Sequence, residues 1–233
     1  MKKNKRLLII PAKSISTRIK NKNFKSFLGK PVILYSYNSA VKSNLFDKIH
    51  ISTESINVKK KLSKYKIHID FLRTKKLTLN NTGLFDVYKY VYKEYKKRNL
   101  EFDEIWTLLP CAPLIEAKDL INLNKCILQK KIKKPIISVC RYPAPIEWAF
   151  IMNSKKKLFP VCAKKQSFPS QKFRKTFYDV GVLSVFDTEN FKKFKSSSIS
   201  RYFSGYELEF HKSVDIDDYA DWRFAEKLFK VSI

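Results

Sequence analysis

The stretch that decides the fold is LLIIPAKSISTRIKNKN, residues 7–23. Its first four residues are all apolar, which is typical of a strand buried on both faces in a parallel sheet. A polar loop from Lys13 to Asn23 follows at once, and loops just beyond the carboxyl end of such a strand are where α/β sheets bind anionic groups. The loop is neither GxGxxG nor GxxxxGK[ST], which argues against a dinucleotide site or a P-loop. We predict an α/β fold with an anion site here; the alternative is a solvated basic loop without a ligand.

The rest of the chain repeats this change from strand to helix. We predict further strands at residues 48–52, 67–72, 105–109, 136–139 and 182–186. We predict helices beginning near Pro31 and at residues 54–64, 84–95, 117–128 and 220–229. Strand–helix–strand repetition indicates a mostly parallel sheet with right-handed crossovers. The loops after the strands should then meet at one rim, namely those after Ile10, Ser52, Leu72, Leu109 and Val139.

Residues 141–177 interrupt this alternation and are rich in proline, lysine and aromatic side chains. We predict an inserted segment that forms a lid, a dimer arm or both. No internal repeat and no flexible linker is recognisable in the sequence. We therefore expect one domain spanning residues 1–233.

The formal net charge of +27 raises the question of a nucleic-acid surface. The 48 basic residues are spread along the whole chain, however, and most of them are lysines typical of solvated helix faces. No run of 18 apolar residues is present, and the short apolar run near the start is too brief for a signal-peptide core. We expect no nucleic-acid partner, no membrane segment and a cytoplasmic location. The cysteines form no CxxC pair, so neither a zinc site nor a redox pair is indicated.

A second informative segment, Val214-Asp215-Ile216-Asp217-Asp218, precedes the last helix. Side chains alternate along a strand, so a strand here would point Asp215 and Asp217 to the same side. Paired carboxylates are ligands that Mg²⁺ prefers, with waters and phosphates completing its shell. Asp218 is typical of a helix N-cap, with Asp221 as its partner three residues on. The alternative for the pair is two surface acids.

Together these segments resemble the acylneuraminate cytidylyltransferase family, the CMP-sialic acid synthetases. The likeness rests on blocks that keep their order and approximate spacing over nearly the whole chain: Ile10-Pro11-Ala12, Lys22-Asn23, residues 27–31, 45–49, 51–53 and 71–73, and Asp215-Ile216-Asp217 with Asp221-Trp222. Within the family the sequence is most similar to the pseudaminic acid branch, through Ala112-Pro113, residues 138–146, Ser170-Gln171 and Tyr178-Asp179-Val180-Gly181.

The resemblance implies a three-layer, Rossmann-like nucleotidyltransferase fold with a small inserted dimerisation or lid segment. It implies transfer of CMP from CTP to a nonulosonic acid, with pseudaminic acid preferred, in a homodimer that uses Mg²⁺. The implied catalytic residues are Lys13, Arg18 and Lys22. The implied nucleotide-binding residues are Ala12, Lys13, Ser16, Lys22, Asn23, Arg73 and Thr82. The implied sugar-binding residues are Gln171, Tyr178 and Asp179, and the implied Mg²⁺ ligands are Asp215 and Asp217. Sialic, legionaminic or 3-deoxy-manno-octulosonic acid remain alternative substrates, and a non-catalytic nucleotide or polyanion binder remains an alternative function.

Several positions depart from the family pattern. The family's first loop usually reads Pro-Ala-Arg-Gly-Gly-Ser-Lys-Arg, whereas this chain has Lys13, Ser14, Ile15 and Thr17. Both glycines are missing, so the backbone is expected to approach phosphates less closely. Lysine at position 13 also lacks the planar fork with which arginine grips phosphate. Glu54 stands where the family usually has an aspartate.

Overall fold

The computed structural model describes residues 4–79, 82–132, 134–194 and 203–231. Its strands are β1 (Arg6–Pro11), β2 (Ser26–Phe27), β3 (Lys30–Pro31), β4 (Lys48–Ser52), β5 (Glu104–Leu108), β6 (Ile136–Arg141), β7 (Phe150–Met152), β8 (Leu158–Pro160), β9 (Phe177–Asp187) and β10 (Ser204–Glu207). Its α-helices are α1 (Ile33–Ser43), α2 (Ile56–Ser63), α3 (Leu84–Lys96), α4 (Ala117–Lys130), α5 (Thr188–Lys193) and α6 (Tyr219–Val231).

A six-stranded sheet forms the centre of the fold, in the order β10-β6-β9-β5-β1-β4. β1 runs parallel to both β4 and β5, and β10 runs parallel to β6. β9 is antiparallel to both of its neighbours, β5 and β6. The predicted α/β fold with a mostly parallel sheet is therefore confirmed. Because β9 is reversed, its first residues lie at the edge where β5 and β6 end.

The first strand is buried on both faces, as its continuous apolar run predicts. Leu8 and Ile10 pack into a core with residues of α1, α2 and α4. Leu7 and Ile9 point to the other face and pack against α3 and α5. The sheet is therefore the middle of three layers, since strand side chains alternate between its two faces.

Three local predictions are wrong. Residues 67–72 form no strand, although all of them are described. Their alternating pattern arises because Ile67, Ile69 and Phe71 are buried in the core without a ladder partner. The helix predicted near Pro31 is present as α1, but it begins at Ile33, and Pro31 lies in β3 and not in the first helical turn.

The acidic segment is the third local prediction to fail, because residues 214–217 are not a strand. Asp218 is the N-cap of α6, as predicted: its carboxylate accepts from the backbone N–H groups of Ala220 and Asp221, at 2.7 and 3.0 Å. In return the Asp221 carboxylate accepts from the N–H groups of Asp217 and Asp218. Helix capping, not a ladder, therefore holds Asp217.

Residues 141–177 contain the β7–β8 hairpin and several short 3₁₀ turns. Every residue of the two hairpin strands is exposed, including Phe150, Ile151, Leu158 and Phe159. Within the described ranges, no helix combines the length and hydropathy needed to cross a membrane.

Candidate active site

A cavity of about 400 Å³ opens at the carboxyl edge of the sheet. It is lined by Pro11, Lys13, Ser16, Thr17, Arg18, Ile19, Lys22, Asn23, Arg73, Leu77, Thr78, Leu79, Thr82, Leu84, Val87, Leu109, Pro110, Cys111, Asp215 and Asp217. Loops that follow β1 and β5, the segment around Arg73 and the acidic segment therefore meet, as the predicted common rim requires. Of the predicted nucleotide and metal residues, Ala12 alone is absent from this lining: it is fully buried, and its N–H donates to the Ser52 carbonyl at 2.8 Å.

The first loop brings its cations into the cavity. The cavity lining includes Lys13, Arg18 and Lys22, together with Ser16 from the same loop. Lys22 opens a short 3₁₀ turn, and its ammonium donates to the Ile216 carbonyl at 2.5 Å. The start of the chain is thereby joined to the acidic segment almost 200 residues later.

Asn23 is buried and stabilises the first loop through hydrogen bonds of its side chain. Its side-chain amide donates to the Lys13 carbonyl at 2.9 Å, and its oxygen accepts from the Cys111 thiol at 3.2 Å. Burial raises the pKa of Cys111 to about 12, so this thiol stays protonated and can donate. Cys111 is not among the residues predicted for the site, because no spacing in the sequence marks it.

The two acids of the segment both line the cavity, and cations lie against one of them. Arg18 contacts Asp217 at 2.6 Å between Nη1 and Oδ2, and the Lys22 ammonium lies 3.4 Å from Oδ1. The pKa of Asp215 is raised, first by burial and then by repulsion from Asp217, against the opposing effect of Lys22 and Arg18. Two carboxylates that repel each other at the wall of one cavity fit a hard divalent cation. Among the described residues no third carboxylate, histidine or cysteine joins them, so phosphate and water oxygens would complete a shell.

Arg73 reaches the cavity from the segment that follows α2. Its guanidinium is buried, and Nη2 donates to the Glu54 carboxylate at 3.1 Å. Its Nε is buried without a hydrogen-bond partner within the described part of the chain. Burial lowers the pKa of Arg73, and Glu54 opposes that change. Thr82 lines the same wall and donates to the Lys76 carbonyl at 3.2 Å.

A second cavity, of about 420 Å³, lies where β6 ends and β9 begins. It is lined by Arg141, Tyr142, Pro143, Ala144, Pro145, Ser170, Gln171, Phe173, Arg174, Lys175 and Thr176. Gln171 is therefore separated from the first cavity, and it shares the second with Arg141 and Arg174, which are not among the predicted site residues.

Tyr178 stands between the two cavities and lines neither. Its ring centroid lies 5.0 Å from that of Tyr142 in the second cavity, and its hydroxyl lies 3.1 Å from Ser213 Oγ, two residues before Asp215. Asp179 is exposed, and its carboxylate accepts from the Gly181 N–H at 2.8 Å, where Gly181 has a φ of 68°. Asp179 is thus hydrogen-bonded within β9 itself, where the pairing with β6 is irregular, and it lines neither cavity.

The chain belongs to the cytidylyltransferase family. A family model described as Cytidylyltransferase matches residues 7–131. The chain is 28% identical over 228 residues to the pseudaminic acid cytidylyltransferase of Campylobacter jejuni, covering 98% of this chain and 97% of the relative. It is 22% identical to the CMP-N,N'-diacetyllegionaminic acid synthase of Legionella pneumophila, with 97% of each chain covered. The family predicted from the sequence is confirmed.

Solved structures share the fold. A CMP:2-keto-3-deoxy-manno-octonic acid synthetase complexed with CTP superimposes with a TM-score of 0.70, at 14% identity, over 98% of this chain and all of that one. A 4-diphosphocytidyl-2C-methyl-D-erythritol synthase of Anaerococcus prevotii gives a TM-score of 0.61. The predicted nucleotidyltransferase fold is confirmed by the first of these.

Proposed function

We propose that this cytidylyltransferase transfers CMP from CTP to a nonulosonic acid, with pseudaminic acid as its preferred substrate, and releases pyrophosphate. The observation that carries the proposal is the convergence of Lys13, Arg18, Lys22 and Arg73 with a pair of carboxylates in one cavity. Four cations suit the charge of a triphosphate. The near-full-length similarity to a pseudaminic acid cytidylyltransferase supports the choice of sugar.

In this reaction the anomeric hydroxyl oxygen of the sugar bonds to the α-phosphorus of CTP. The bond from that phosphorus to the oxygen bridging the α- and β-phosphates breaks, pyrophosphate leaves, and the hydroxyl proton passes to solvent. Positioning and charge stabilisation account for most of the rate in such transfers. Lys13, Arg18 and Lys22 bind the triphosphate and stabilise its developing charge. Arg73 and Asn23 hold the nucleotide and the loop around it.

Asp215 and Asp217 are the residues that would hold Mg²⁺. The bound ion would neutralise phosphate charge and lower the pKa of the sugar hydroxyl. A metal ion held by these carboxylates would supply the positive charge that Arg18 and Lys22 now give to Asp217, so that both cations would be available to phosphate oxygens.

The sugar would bind in the second cavity, beside Tyr178, whose ring packs against Tyr142 of its lining. Gln171 and Tyr178 bind the sugar, and Arg141 and Arg174 supply positive charge for its carboxylate. Asp179 remains a proposed sugar ligand, and it would have to leave its bond to Gly181 to act as one. We further propose that the chain is one domain, that the exposed apolar β7–β8 hairpin is an arm of a homodimer, and that the enzyme works in the cytoplasm, where CTP is available.

Two other functions have support from specific observations. The similarity to a legionaminic acid synthase favours the same reaction on another acidic nonulosonic acid. A non-catalytic nucleotide binder is favoured by the missing loop glycines, because the Ser14 N–H is already hydrogen-bonded to Glu54.

The test is to incubate the purified protein with CTP, Mg²⁺ and pseudaminic acid, and to measure pyrophosphate release together with the mass of the CMP-sugar. We expect a product with pseudaminic acid that disappears when Mg²⁺ is chelated. Turnover with legionaminic or sialic acid but not with pseudaminic acid would show that the proposed reaction takes that other sugar as its substrate. CTP binding without turnover of pseudaminic, legionaminic or sialic acid would favour the non-catalytic nucleotide binder.

A further inference from the structure

A single carboxylate joins the first loop to Arg73. Oε1 of Glu54 accepts from the backbone N–H of Ser14 at 2.8 Å and from its hydroxyl at 2.6 Å. Oε2 accepts from Nη2 of Arg73 at 3.1 Å. The two oxygens of Glu54 therefore fix two different segments that both reach the cavity.

Glu54 lies behind the cavity wall. Lys13 and Arg73 line the cavity, whereas Ser14 and Glu54 do not. The side chain of Glu54 is only 10% exposed and that of Arg73 only 3%. Burial alone would raise the pKa of Glu54, but the hydrogen bonds from Ser14, with Arg73, lower it. The carboxylate is therefore charged at neutral pH, and charge-assisted hydrogen bonds of this kind are stronger than neutral ones.

The backbone on either side of Glu54 is held in place by hydrogen bonds. Glu54 directly follows Thr53, whose carbonyl accepts from the Arg73 N–H at 2.9 Å, and it precedes Ser55, the N-cap of α2. Glu54 thus connects the end of β4 and the start of α2 to the loop above them. Since both of those elements are packed in the core, the position of its carboxylate is fixed by the fold.

The peptide unit between Lys13 and Ser14 is held on both sides. Its carbonyl, from Lys13, accepts from the buried Asn23 amide, and its N–H, from Ser14, donates to Glu54. A glycine loop would leave such an N–H for phosphate, whereas here side chains hold the peptide and the cation beside it. The departures at positions 14 and 54 from the family pattern thus meet in one hydrogen-bonded pair.

We propose that Glu54 is a positioning residue. It holds the first loop, which carries Lys13, and Arg73 in a fixed relative position for binding the triphosphate, in place of a flexible glycine loop. The inference rests on the proposed function, because CTP is the ligand it invokes. Glu54 acts through Lys13 and Arg73 and does not itself touch the nucleotide. Its role therefore concerns the phosphates more than the rest of the ligand.

The experiment measures CTP and CMP affinity by calorimetry, with Mg²⁺, on the wild-type chain and on Glu54→Gln, Ser14→Ala and the double variant. Glu54→Gln keeps the size of the side chain but removes its charge, and we expect CTP to bind about tenfold more weakly, or about 1.4 kcal/mol. Ser14→Ala should weaken CTP binding about threefold, because it removes one hydrogen bond. The double variant should bind no more weakly than Glu54→Gln, since both changes affect one interaction. CMP affinity should change much less than CTP affinity.

Glu94→Gln is the matched control, because Glu94 also makes ion pairs, with Lys97 and Arg98, but on the surface of α3. If Glu54→Gln binds CTP as tightly as this control does, the inference is overturned. Equal weakening of CTP and CMP also overturns it, because general damage to the fold would affect both ligands. If Glu54→Gln does not fold, the ratio of CTP to CMP affinity in Ser14→Ala decides. Failure of the wild-type chain to bind CTP would overturn the proposed function itself, together with this inference.

Discussion

Lys212 should be among the most costly lysines to replace, although the chain is crowded with lysines. Its ammonium lies 2.7 and 2.8 Å from the two carboxylate oxygens of Asp119, and 3.0 Å from Glu116 Oε2. The Lys212 side chain is 4% exposed, and that of Asp119 is 12% exposed. Lys212→Met keeps most of the apolar stem but leaves Asp119 with an uncompensated buried charge. Breaking a buried ion pair in this way costs about 3–5 kcal/mol, a large part of the stability of an ordinary domain.

The assay is urea unfolding at neutral pH, followed by circular dichroism, and the matched control is Lys118→Met. Lys118 also contacts Glu116 Oε2, at 2.8 Å, but its side chain is 66% exposed. Exposed pairs contribute about 0–1 kcal/mol, so the control should unfold almost as the wild type does. A loss below about 1 kcal/mol for Lys212→Met, equal to the control, would refute the reasoning. Asp119 and Glu116 raise the pKa of Lys212 against the effect of burial, so its contribution should be lost only as pH rises above the ordinary lysine range.

Two further predictions concern the acid pair and a buried histidine. Asp217→Asn should lower kcat/KM at least about 100-fold by removing charge from the proposed metal site. Glu101→Gln, at an exposed acid just before β5, is the control. Near-normal turnover of Asp217→Asn would remove that carboxylate from the proposed mechanism. Burial lowers the pKa of His50 to about 3, so the unfolded chain takes up a proton below pH 6.5 that the folded chain does not. The free energy of unfolding should therefore fall with acidification by about 1.4 kcal/mol per pH unit more in the wild type than in His50→Gln, and equal slopes in urea titrations at pH 6 and 5 would contradict this.

The parts of the fold that were predictable are those fixed by local pattern. The apolar run of β1 has side chains in both cores, and a continuous run is what a strand buried on two faces requires. The capping pair of Asp218 and Asp221 was predictable because a cap is a contact across three residues. Residues 67–72 misled because burial of alternate residues produces the same pattern whether or not a ladder partner is present.

The supporting contacts of the site were not predictable, because they join residues far apart in sequence. Ser14 and Glu54 are 40 positions apart, and Lys212 and Asp119 are 93 apart. A basic loop and a pair of acids can be recognised in a sequence, whereas a single glutamate or cysteine gives no such signal. One signal was available for Glu54: it departs from the family pattern, as does Ser14, and two such departures are consistent with contact.

The reversed strand explains how the two cavities come to be neighbours. β9 has 11 residues, so a β9 parallel to the others would carry Tyr178 to the far edge of the sheet, about 30 Å away. In the observed direction Tyr178 reaches Ser213, whose own hydroxyl donates to the Phe210 carbonyl, so the tyrosine must be the donor between them. Ser213 follows Lys212, which is fixed by Asp119 on α4, and precedes the acid pair. The acidic segment is therefore held from both α4 and β9, and loss of the Lys212 contacts should disturb both the proposed metal ligands and the proposed sugar-binding residue Tyr178.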